Sequence, residues 1–320
     1  MLLALLILAT CFVAFTNGAN ANFKGVASLY GSGTTSLRVA LWWGTATTFA
    51  GALAALFFAQ GLMKTFSGKG LVPDALTQSP AFLLAVALGG ALTSFLATRL
   101  SFPVSTTHAL TGALVGAGLA SGDHTVHLGA LGKSFVQPLL LSPVLAIAAG
   151  AVIYFLLKAV RLLPNHRTRT LDTLHFLSGG AASFARGLND TPKMAALLLV
   201  VHALDIRWGI AAIAVMTAIG GLVDARNVAE TLGKKVTDMN PGEGFAANVS
   251  TALLVSTASY HSLPVSTTQV SVGSLLGIGI VTRQAHWRSV GSIALSWLVT
   301  LPCGAAVAAL VAWGIRGSGG

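Results

Sequence analysis

PVSTTHALTGALVGAGL, residues 103–119, recurs later in the chain as PVSTTQVSVGSLLGIGI, residues 264–280. Five consecutive residues are identical, and three glycines of the first copy return in the second, all at an offset of 161 positions. A second repeat lies upstream of the first: FTNGANANFK, residues 15–24, aligns with FARGLNDTPK, residues 184–193, at an offset of 169. Two different motifs that repeat in the same order predict a chain built from two related halves.

The segments around these repeats are apolar. Hydrophobic residues make up 54% of the 320 residues and charged residues only 9%, with a mean hydropathy of +0.78, whereas soluble domains carry about 25% charged residues. Several charge-free stretches are as long as the ~20 residues that a membrane-spanning helix needs. They are 1–23, 39–63, 75–98, 100–122, 134–157, 244–282 and 289–315, with shorter ones at 173–185 and 208–223. The composition predicts an all-α polytopic membrane protein with about ten membrane segments, and it argues against a soluble enzyme.

The two halves are predicted to lie in opposite orientations. Five segments on each side of a basic loop divide the chain into a first repeat at 1–157, the loop at 158–172 and a second repeat at 173–320. An odd number of crossings per half turns the second copy upside down, which is the inverted-topology repeat of secondary transporters. A re-entrant hairpin would give the same hydropathy pattern, so hydropathy alone leaves the number of crossings open.

Basic residues set the predicted orientation. If the 158–172 loop is cytoplasmic, the loops on its side of the membrane hold twelve lysines and arginines, and the opposite loops hold five. Cytoplasmic loops carry such an excess, so the loop is predicted to be cytoplasmic and the N-terminus external. This rule also explains the 19 basic against 9 acidic residues without a nucleic acid partner.

The first 21 residues imitate a signal peptide but lack its basic start, and they contain part of a repeat. They are therefore interpreted as a retained first membrane segment. The two cysteines, Cys11 and Cys303, are isolated in apolar stretches, which predicts that they are packing residues.

The PVSTT motif predicts the start of a helix inside the membrane. Proline suits the first helical turn, and serine and threonine are capping residues. A helix start presents free N–H groups, hydroxyl donors and the positive end of the helix dipole, which together suit an oxyanion. One copy alone would be an ordinary helix start, whereas two copies at equivalent places favour a binding site. Its candidate residues are Ser105, Thr106, Thr107, Ser266, Thr267 and Thr268.

The upstream motif places polar side chains in the middle of apolar segments. Asn20 in the first copy corresponds to Asn189 in the second, where Asp190 follows it. Ionisable groups inside membrane segments are costly and are therefore functional candidates. The oxygens of these side chains suit either a coupling cation or a bound substrate. The alternative is a structural ion pair of Asp190 with Arg186 or Lys193, which lie at i−4 and i+3.

The histidines give weaker signals. His108 follows the first PVSTT where Gln269 follows the second, so a polar packing role is favoured over a proton relay. His124 and His127 have a spacing that would suit a metal ion, but nothing else completes such a site, and a solvated loop is favoured.

The duplicated PVSTT helices, together with the duplicated segments similar to G-A-N-D, resemble the PiT family of inorganic phosphate transporters over nearly the whole chain. The resemblance implies a symporter of inorganic phosphate coupled to Na⁺ or H⁺, with no other cofactor. It further implies a homodimer in the lipid of the plasma membrane, and it implies a transporter rather than an enzyme. The implied ligands are Asn20, Ser105, Thr106, Thr107, Asn189, Asp190, Ser266, Thr267 and Thr268. Of these, Asn20, Asn189 and Asp190 are the candidates for Na⁺, and the accessory residues are Lys24, Arg186, Lys193, His108 and Gln269.

The first repeat departs from the family pattern. Ala21 stands where G-A-N-D has its carboxylate, Lys24 stands where a small or amide residue is usual, and Leu188 replaces alanine in the second copy. Loss of a negative charge beside a lysine predicts a weaker cation site. Two alternatives therefore stay open: a permease for sulfate or another tetrahedral oxyanion, and a non-transporting anion sensor or channel. Sulfate has no proton to donate at neutral pH, so the missing carboxylate strengthens the sulfate hypothesis.

Overall fold

The computed structural model describes residues 1–122, 126–163 and 166–317. In these residues the chain forms fifteen α-helices, one π-helical turn at Gly132–Val136 and one 3-10 turn at Ala196–Leu198, and no β-strand. The helices are α1 (Leu2–Ala21), α2 (Ala27–Gly31), α3 (Leu37–Phe58), α4 (Gln60–Phe66), α5 (Asp74–Thr77), α6 (Pro80–Arg99), α7 (Thr106–Ala120), α8 (Leu128–Leu131), α9 (Gln137–Ala159), α10 (Arg169–Ala195), α11 (Ile206–Asp224), α12 (Arg226–Lys234), α13 (Pro241–Tyr260), α14 (Thr267–Thr282) and α15 (Trp287–Gly317). His124, one of the two loop histidines, lies outside the described residues.

Six helical segments among the described residues are long and apolar enough to cross a membrane. They are α1, α3, α6, the segment from α8 through α9, α11 and α15. Helices α10 and α13 have 27 and 20 residues but carry more polar side chains. Helices α7 and α14 have 15 and 16 residues, or about 22–24 Å at 1.5 Å per residue, which is shorter than the ~30 Å hydrocarbon core. The predicted all-α membrane protein is confirmed, whereas the count of about ten crossings stays a prediction.

The distribution of side chains is the reverse of that in a soluble protein. Large apolar side chains lie on the outside, including Leu8, Phe57 and Leu298 at 65%, 77% and 71% exposure. Charged side chains lie inside, including Arg186 and Lys193 at 2% and 1% exposure. Soluble proteins rarely expose large apolar patches, so the outer surface fits lipid. The chain is a multi-pass membrane protein.

Each half packs its helices against the other half. Helix α1 packs against α11, and its counterpart α10 packs against α3, the counterpart of α11. In the same way α7 packs against α15, and its counterpart α14 packs against α9. Within each half, α1 also contacts α6, and α10 contacts α13. The halves are therefore interleaved rather than placed side by side.

Glycines at equivalent positions allow these close contacts. A Cβ atom on Gly18 of α1 would meet the backbone carbonyl group of Thr217, and a Cβ atom on Gly187 of α10 would meet that of Thr48. Gly18 and Gly187 are 169 positions apart, and so are Thr48 and Thr217. In the same way, a Cβ atom on Gly51 would meet the backbone carbonyl group of Phe184, and a Cβ atom on Gly220 would meet that of Phe15. The repeat seen in the sequence is therefore a repeat of helix contacts.

Two helices begin later than the PVSTT motif predicts. Ser105 and Ser266 are the N-caps of α7 and α14, and the prolines lie before the caps, outside the first turn. An N-cap residue needs an extended backbone, and both serines have it, with φ near −100° and −90°. The predicted role of serine as a cap is confirmed, and the predicted place of the proline in the first turn is wrong.

The connection between the halves is shorter than the predicted loop at 158–172. Helix α9 continues to Ala159 and α10 begins at Arg169, where the side chain of Thr168 caps it. Lys158 and Arg169 of the predicted loop lie in the ends of α9 and α10. Hydropathy does not distinguish a charged helix end from a loop. The division into 1–157, 158–172 and 173–320 remains a prediction.

One cysteine differs from expectation. Cys11 is partly buried, but Cys303 is exposed on α15. Apolar neighbours in the sequence indicate burial in a soluble protein, whereas on an outer membrane helix they are also found on the face toward lipid.

Candidate functional site

The N-terminal ends of α7 and α14 meet in the middle of the molecule. The hydroxyl of Thr107 donates to the carbonyl oxygen of Val265 (3.0 Å), just before α14. In return, the hydroxyl of Thr268 donates to the carbonyl oxygen of Val104 (2.7 Å), just before α7. Each helix start is thus tied to the segment that precedes the other. Two positive helix ends face one another here.

A lysine ammonium group lies at the start of α7. The Nζ atom of Lys24 donates to the carbonyl oxygen of Val104 (2.7 Å) and to the hydroxyl of Thr268 (2.5 Å). The side chain is 3% exposed. We call this pair of oxygens, with the nitrogen that they hold, the first lysine site.

The start of α14 holds a second ammonium group in the equivalent arrangement. The Nζ atom of Lys193 donates to the carbonyl oxygen of Val265 (2.9 Å) and to the hydroxyl of Thr107 (2.8 Å). This second lysine site differs from the first in one respect, because its nitrogen also donates to Oδ1 of Asp190 (2.9 Å). The first site has no carboxylate at the equivalent place, where the chain has Ala21.

Asp190 is the acidic residue of this centre, and both of its carboxylate oxygens have partners. Its Oδ1 atom accepts a hydrogen bond from the ammonium group of Lys193. Its Oδ2 atom lies 3.5 Å from Nε of Arg186. The same oxygen accepts from the hydroxyl of Thr267 (3.2 Å) and from the amide of Asn17 (3.4 Å). The ion pair predicted for Asp190 is present with both basic partners.

Arg186 is held by amide oxygens of α1 and the turn after it. Its guanidinium donates to Oδ1 of Asn22 (2.7 Å) and to the backbone carbonyl (3.3 Å) and side-chain oxygen of Asn17. The amide of Asn17 also donates to the hydroxyl of Thr106 (2.9 Å), at the start of α7. Arg186 therefore belongs to the same network as both helix starts.

The charges of this centre do not balance. Three buried basic side chains, Lys24, Arg186 and Lys193, surround one buried carboxylate, that of Asp190. Among the described residues, Lys24 forms no ion pair with an acidic side chain. A buried charge is strongly unfavourable unless it is paired. The centre therefore favours an anion, and the helix starts and hydroxyl groups suit an oxyanion.

The two asparagines of the upstream motif have different surroundings. Asn20 donates to the hydroxyl of Thr98 (3.0 Å) and accepts from the backbone N–H of Val104 (3.0 Å), so it fixes the segment before α7. Asn189 donates to the hydroxyl of Ser259 (2.8 Å). Its Oδ1 atom has no hydrogen-bond partner in the described part of the chain. The second asparagine thus keeps a buried free acceptor, and the first does not.

His108 and Gln269 occupy equivalent places in the first turns of α7 and α14. The side-chain oxygen of Gln269 accepts from the hydroxyl of Ser142 (3.1 Å). The Nδ1 atom of His108 has no partner in the described part of the chain. Both side chains are buried.

All fourteen residues predicted for the site are buried, and most belong to this one network. The sequence prediction missed Asn17 and Asn22, which hold Arg186. Asn17 aligns with Arg186 at the offset of 169, so a search for positions that are polar in both copies would have found it. Thr98 and Ser259 were missed as well, although both carry hydroxyl groups at the offset of 161.

Comparison with known proteins adds independent information. A family model described as the phosphate transporter family matches residues 17–308. A probable low-affinity inorganic phosphate transporter of Mycobacterium leprae (strain TN) is 29% identical over 100% of this chain and 79% of its own. A protein with the same description from Rhizobium meliloti (strain 1021) is 29% identical over 97% of this chain and 95% of its own.

A solved structure shares the fold. It is described as the sodium-dependent phosphate transporter, and its TM-score is 0.87 at 22% sequence identity, with 98% of this chain and 99% of that chain covered. The relatives are transporters and not enzymes. Since the family model spans almost the whole chain, the resemblance predicted from the two motifs is confirmed. The protein belongs to the phosphate transporter family.

Proposed function

We propose that this protein carries inorganic phosphate across the plasma membrane by symport with a cation, Na⁺ or H⁺. The observation that carries the proposal is the excess of positive charge at the meeting point of two helix starts. Three buried basic side chains and one carboxylate leave two positive charges, which match a hydrogen phosphate dianion. The names of the relatives agree with this substrate.

Transport is proposed to use two inverted halves that alternate access to the centre. In the first half the backbone N–H of His127 donates to the carbonyl of Leu71 (2.9 Å), so the loops before α6 and after α7 lie together. In the second half His286 donates to Val236 (3.0 Å) in the same way, before α13 and after α14. Each such pair of helices returns to the face that it left. Three long helices remain in each half, α1, α3 and α9 in the first and α10, α11 and α15 in the second. Each half then crosses the membrane an odd number of times.

This arrangement supports ten membrane segments with an external N-terminus and a cytoplasmic connection between α9 and α10. The interleaved contacts of the halves support the inverted repeat as well. The plasma membrane and the homodimer follow from the family resemblance. Measurement of the particle mass in detergent, with the detergent contribution subtracted, tests the dimer.

The choice of phosphate over sulfate is supported by the free acceptor at Asn189. Its Oδ1 atom is buried and has no partner in the described part of the chain. Hydrogen phosphate has a P–OH group that this oxygen would accept, and sulfate at neutral pH has none. An unpaired buried acceptor costs about 1–3 kcal/mol, so the difference favours phosphate. The burial of the whole centre favours alternating access over an open anion channel.

The test is uptake of radiolabelled phosphate and sulfate into proteoliposomes, with sodium and proton gradients imposed in turn. We expect uphill phosphate uptake driven by at least one gradient and weaker uptake of sulfate. Uptake that only follows the phosphate gradient would support a channel. Stronger uptake of sulfate would make the protein a sulfate permease, and no uptake of either anion would support a sensor.

A further inference from the structure

The first lysine site has the composition of a small cation site. The Nζ atom of Lys24 lies between a backbone carbonyl oxygen just before a helix start and a threonine hydroxyl, at 2.7 and 2.5 Å. In transporters, carbonyl oxygens of unwound segments are the groups that coordinate Na⁺. An ammonium group carries the same single charge and takes the same oxygen partners by donating to them. In this chain the position is therefore filled by a part of the protein.

The second half shows that this arrangement is built into the repeat. Lys193 is held by Val265 and Thr107, as Lys24 is held by Val104 and Thr268. Each lysine bonds to a carbonyl oxygen from its own half and a hydroxyl from the other half. Both equivalent positions are thus occupied by covalently attached cations.

The carboxylate of the centre is already paired with two cationic side chains. Oδ1 of Asp190 accepts from Lys193, and Oδ2 accepts from Thr267 and Asn17. Oδ2 also forms an ion pair with Nε of Arg186 at 3.5 Å. In the first half, Ala21 supplies no carboxylate. A sodium ion at the first lysine site would have to displace the ammonium group of Lys24 from its oxygens, and Ala21 would give it no carboxylate partner. The unneutralised charge of Lys24 is available to the transported anion instead.

We propose that Lys24 is a tethered counter-ion that stands in place of a bound sodium ion, so that phosphate binds without sodium. This inference rests on the proposed function, since it requires that phosphate is the bound anion. It narrows that function by removing sodium from the step in which phosphate binds.

The first test measures phosphate binding to the purified full-length protein in nanodiscs. Equilibrium binding of ³²P-phosphate is compared at equal ionic strength in sodium chloride and in N-methylglucamine chloride. We expect the two dissociation constants to agree within about twofold. A loss of tenfold or more without sodium would overturn the inference and leave phosphate transport intact. Absence of phosphate binding in both media would instead refute the proposed function, and the inference with it.

The second test removes the ammonium group. Lys24→Met keeps the length of the side chain, and we expect phosphate affinity to fall about 10- to 100-fold, as for loss of a hydrogen bond to a charged group. Lys69→Met, at an exposed loop position, is the matched control and should bind as the parent does. Unchanged affinity in Lys24→Met would overturn the inference. If that variant does not fold, the comparison of sodium and N-methylglucamine in the parent still decides.

A gain-of-function variant tests the cation position itself. In the double variant Ala21→Asp with Lys24→Asn, a carboxylate returns and the tethered cation leaves. Phosphate binding should then become sodium-dependent by at least tenfold. A double variant that binds phosphate equally well in both media would overturn the assignment of the first lysine site as a cation position.

Discussion

Two threonine hydroxyls connect the positive charges of the centre to its helix starts. Thr107 accepts from the ammonium group of Lys193 and donates to a carbonyl oxygen before α14. Thr268 does the same for Lys24 and the segment before α7. A hydroxyl has one proton and two lone pairs, so each threonine has one acceptor position left once these bonds form. Replacing either hydroxyl by a methyl group removes one hydrogen-bond acceptor from a buried ammonium group.

The Thr107→Ala and Thr268→Ala variants should each bind phosphate about 10- to 100-fold more weakly. Each change removes one oxygen from a buried ammonium group, and a hydrogen bond to a charged group is worth about 1.5–3 kcal/mol. Equilibrium binding of ³²P-phosphate measures the effect. Thr107→Ser should restore most of the affinity, and Thr170→Ala, at an exposed position of α10, should have no effect. If both alanine variants fold and bind as the parent does, these hydroxyls play no part in binding.

The Asp190→Asn variant should be much less stable and should not transport phosphate. The change leaves Lys193 and Arg186 buried with no carboxylate, and loss of one partner of a buried ion pair costs about 3–5 kcal/mol. Thermal unfolding in detergent and proteoliposome uptake are the measurements. Asp172→Asn is the matched control, because its ion pair with Arg167 is partly exposed, at 52% for Arg167 and 27% for Asp172, and exposed pairs are worth at most about 1 kcal/mol. Equal unfolding temperatures for the two variants would contradict the assignment.

At this scale the sequence indicated the residues that repeat and the charged residues inside apolar segments, and it missed Asn17 and Asn22. Identical letters at fixed offsets identified Asn20 and Asn189, and the duplicated PVSTT identified the threonines. Asn17 and its counterpart Arg186 have different side chains, so no identity pointed to Asn17. The contact between them depends on the packing of α1 against α10, which local sequence does not contain.

At the scale of elements, the glycines of α1 and α10 decide how closely the halves approach. A Cβ atom on Gly18 would lie 2.8 Å from the carbonyl carbon of Thr217 and 2.9 Å from the backbone nitrogen of Gly221. Both neighbours are backbone atoms and cannot move as a side chain can. The starts of α7 and α14 lie three residues after the prolines of the PVSTT motifs, because the serine caps act locally. The limits of the connection between the halves were less predictable.

The Gly18→Ala variant should be destabilised by about 1–3 kcal/mol, the usual cost of an overpacked contact. Thermal unfolding of the purified protein measures this. Gly291→Ala serves as the control, since a Cβ atom there would meet nothing within 4 Å and alanine is favoured over glycine inside a helix by about 1 kcal/mol. Equal stability of Gly18→Ala and the parent would show that α1 and α11 are not packed as closely as described.

At the scale of the whole molecule, the sequence predicts two related halves, and only the structure shows how their helices interleave. Charge-free stretches and repeated motifs are local patterns, and the all-helical membrane fold that they predicted is confirmed. The exchange of partners between halves, α1 with α11 and α10 with α3, depends on contacts between distant residues. The asymmetry of basic residues is a property of all loops together, and it predicts the orientation of the whole chain.

Single cysteines should label from opposite sides of the membrane at His166→Cys and Ser67→Cys. The reason is the positive-inside rule, which places the connection between α9 and α10 in the cytoplasm and the loop after α4 outside. The background carries Cys11→Ala and Cys303→Ala, and a membrane-impermeant maleimide is applied to intact cells and then to lysed cells. Labelling of position 166 in intact cells would reverse the proposed topology.

The interleaving of the halves has a consequence for biogenesis. Lys24 and its partner Thr268 are 244 positions apart, so the fold has contacts of high sequence separation, which are slow to form. At about 5–20 residues per second, the ribosome needs on the order of 10–30 s to add the second half after the first is inserted. During that time α1 lies in lipid with its polar side chains and its close-packing glycines unpaired. Until the second half is inserted, the nascent first half therefore holds in lipid the polar groups that the complete fold buries between the halves.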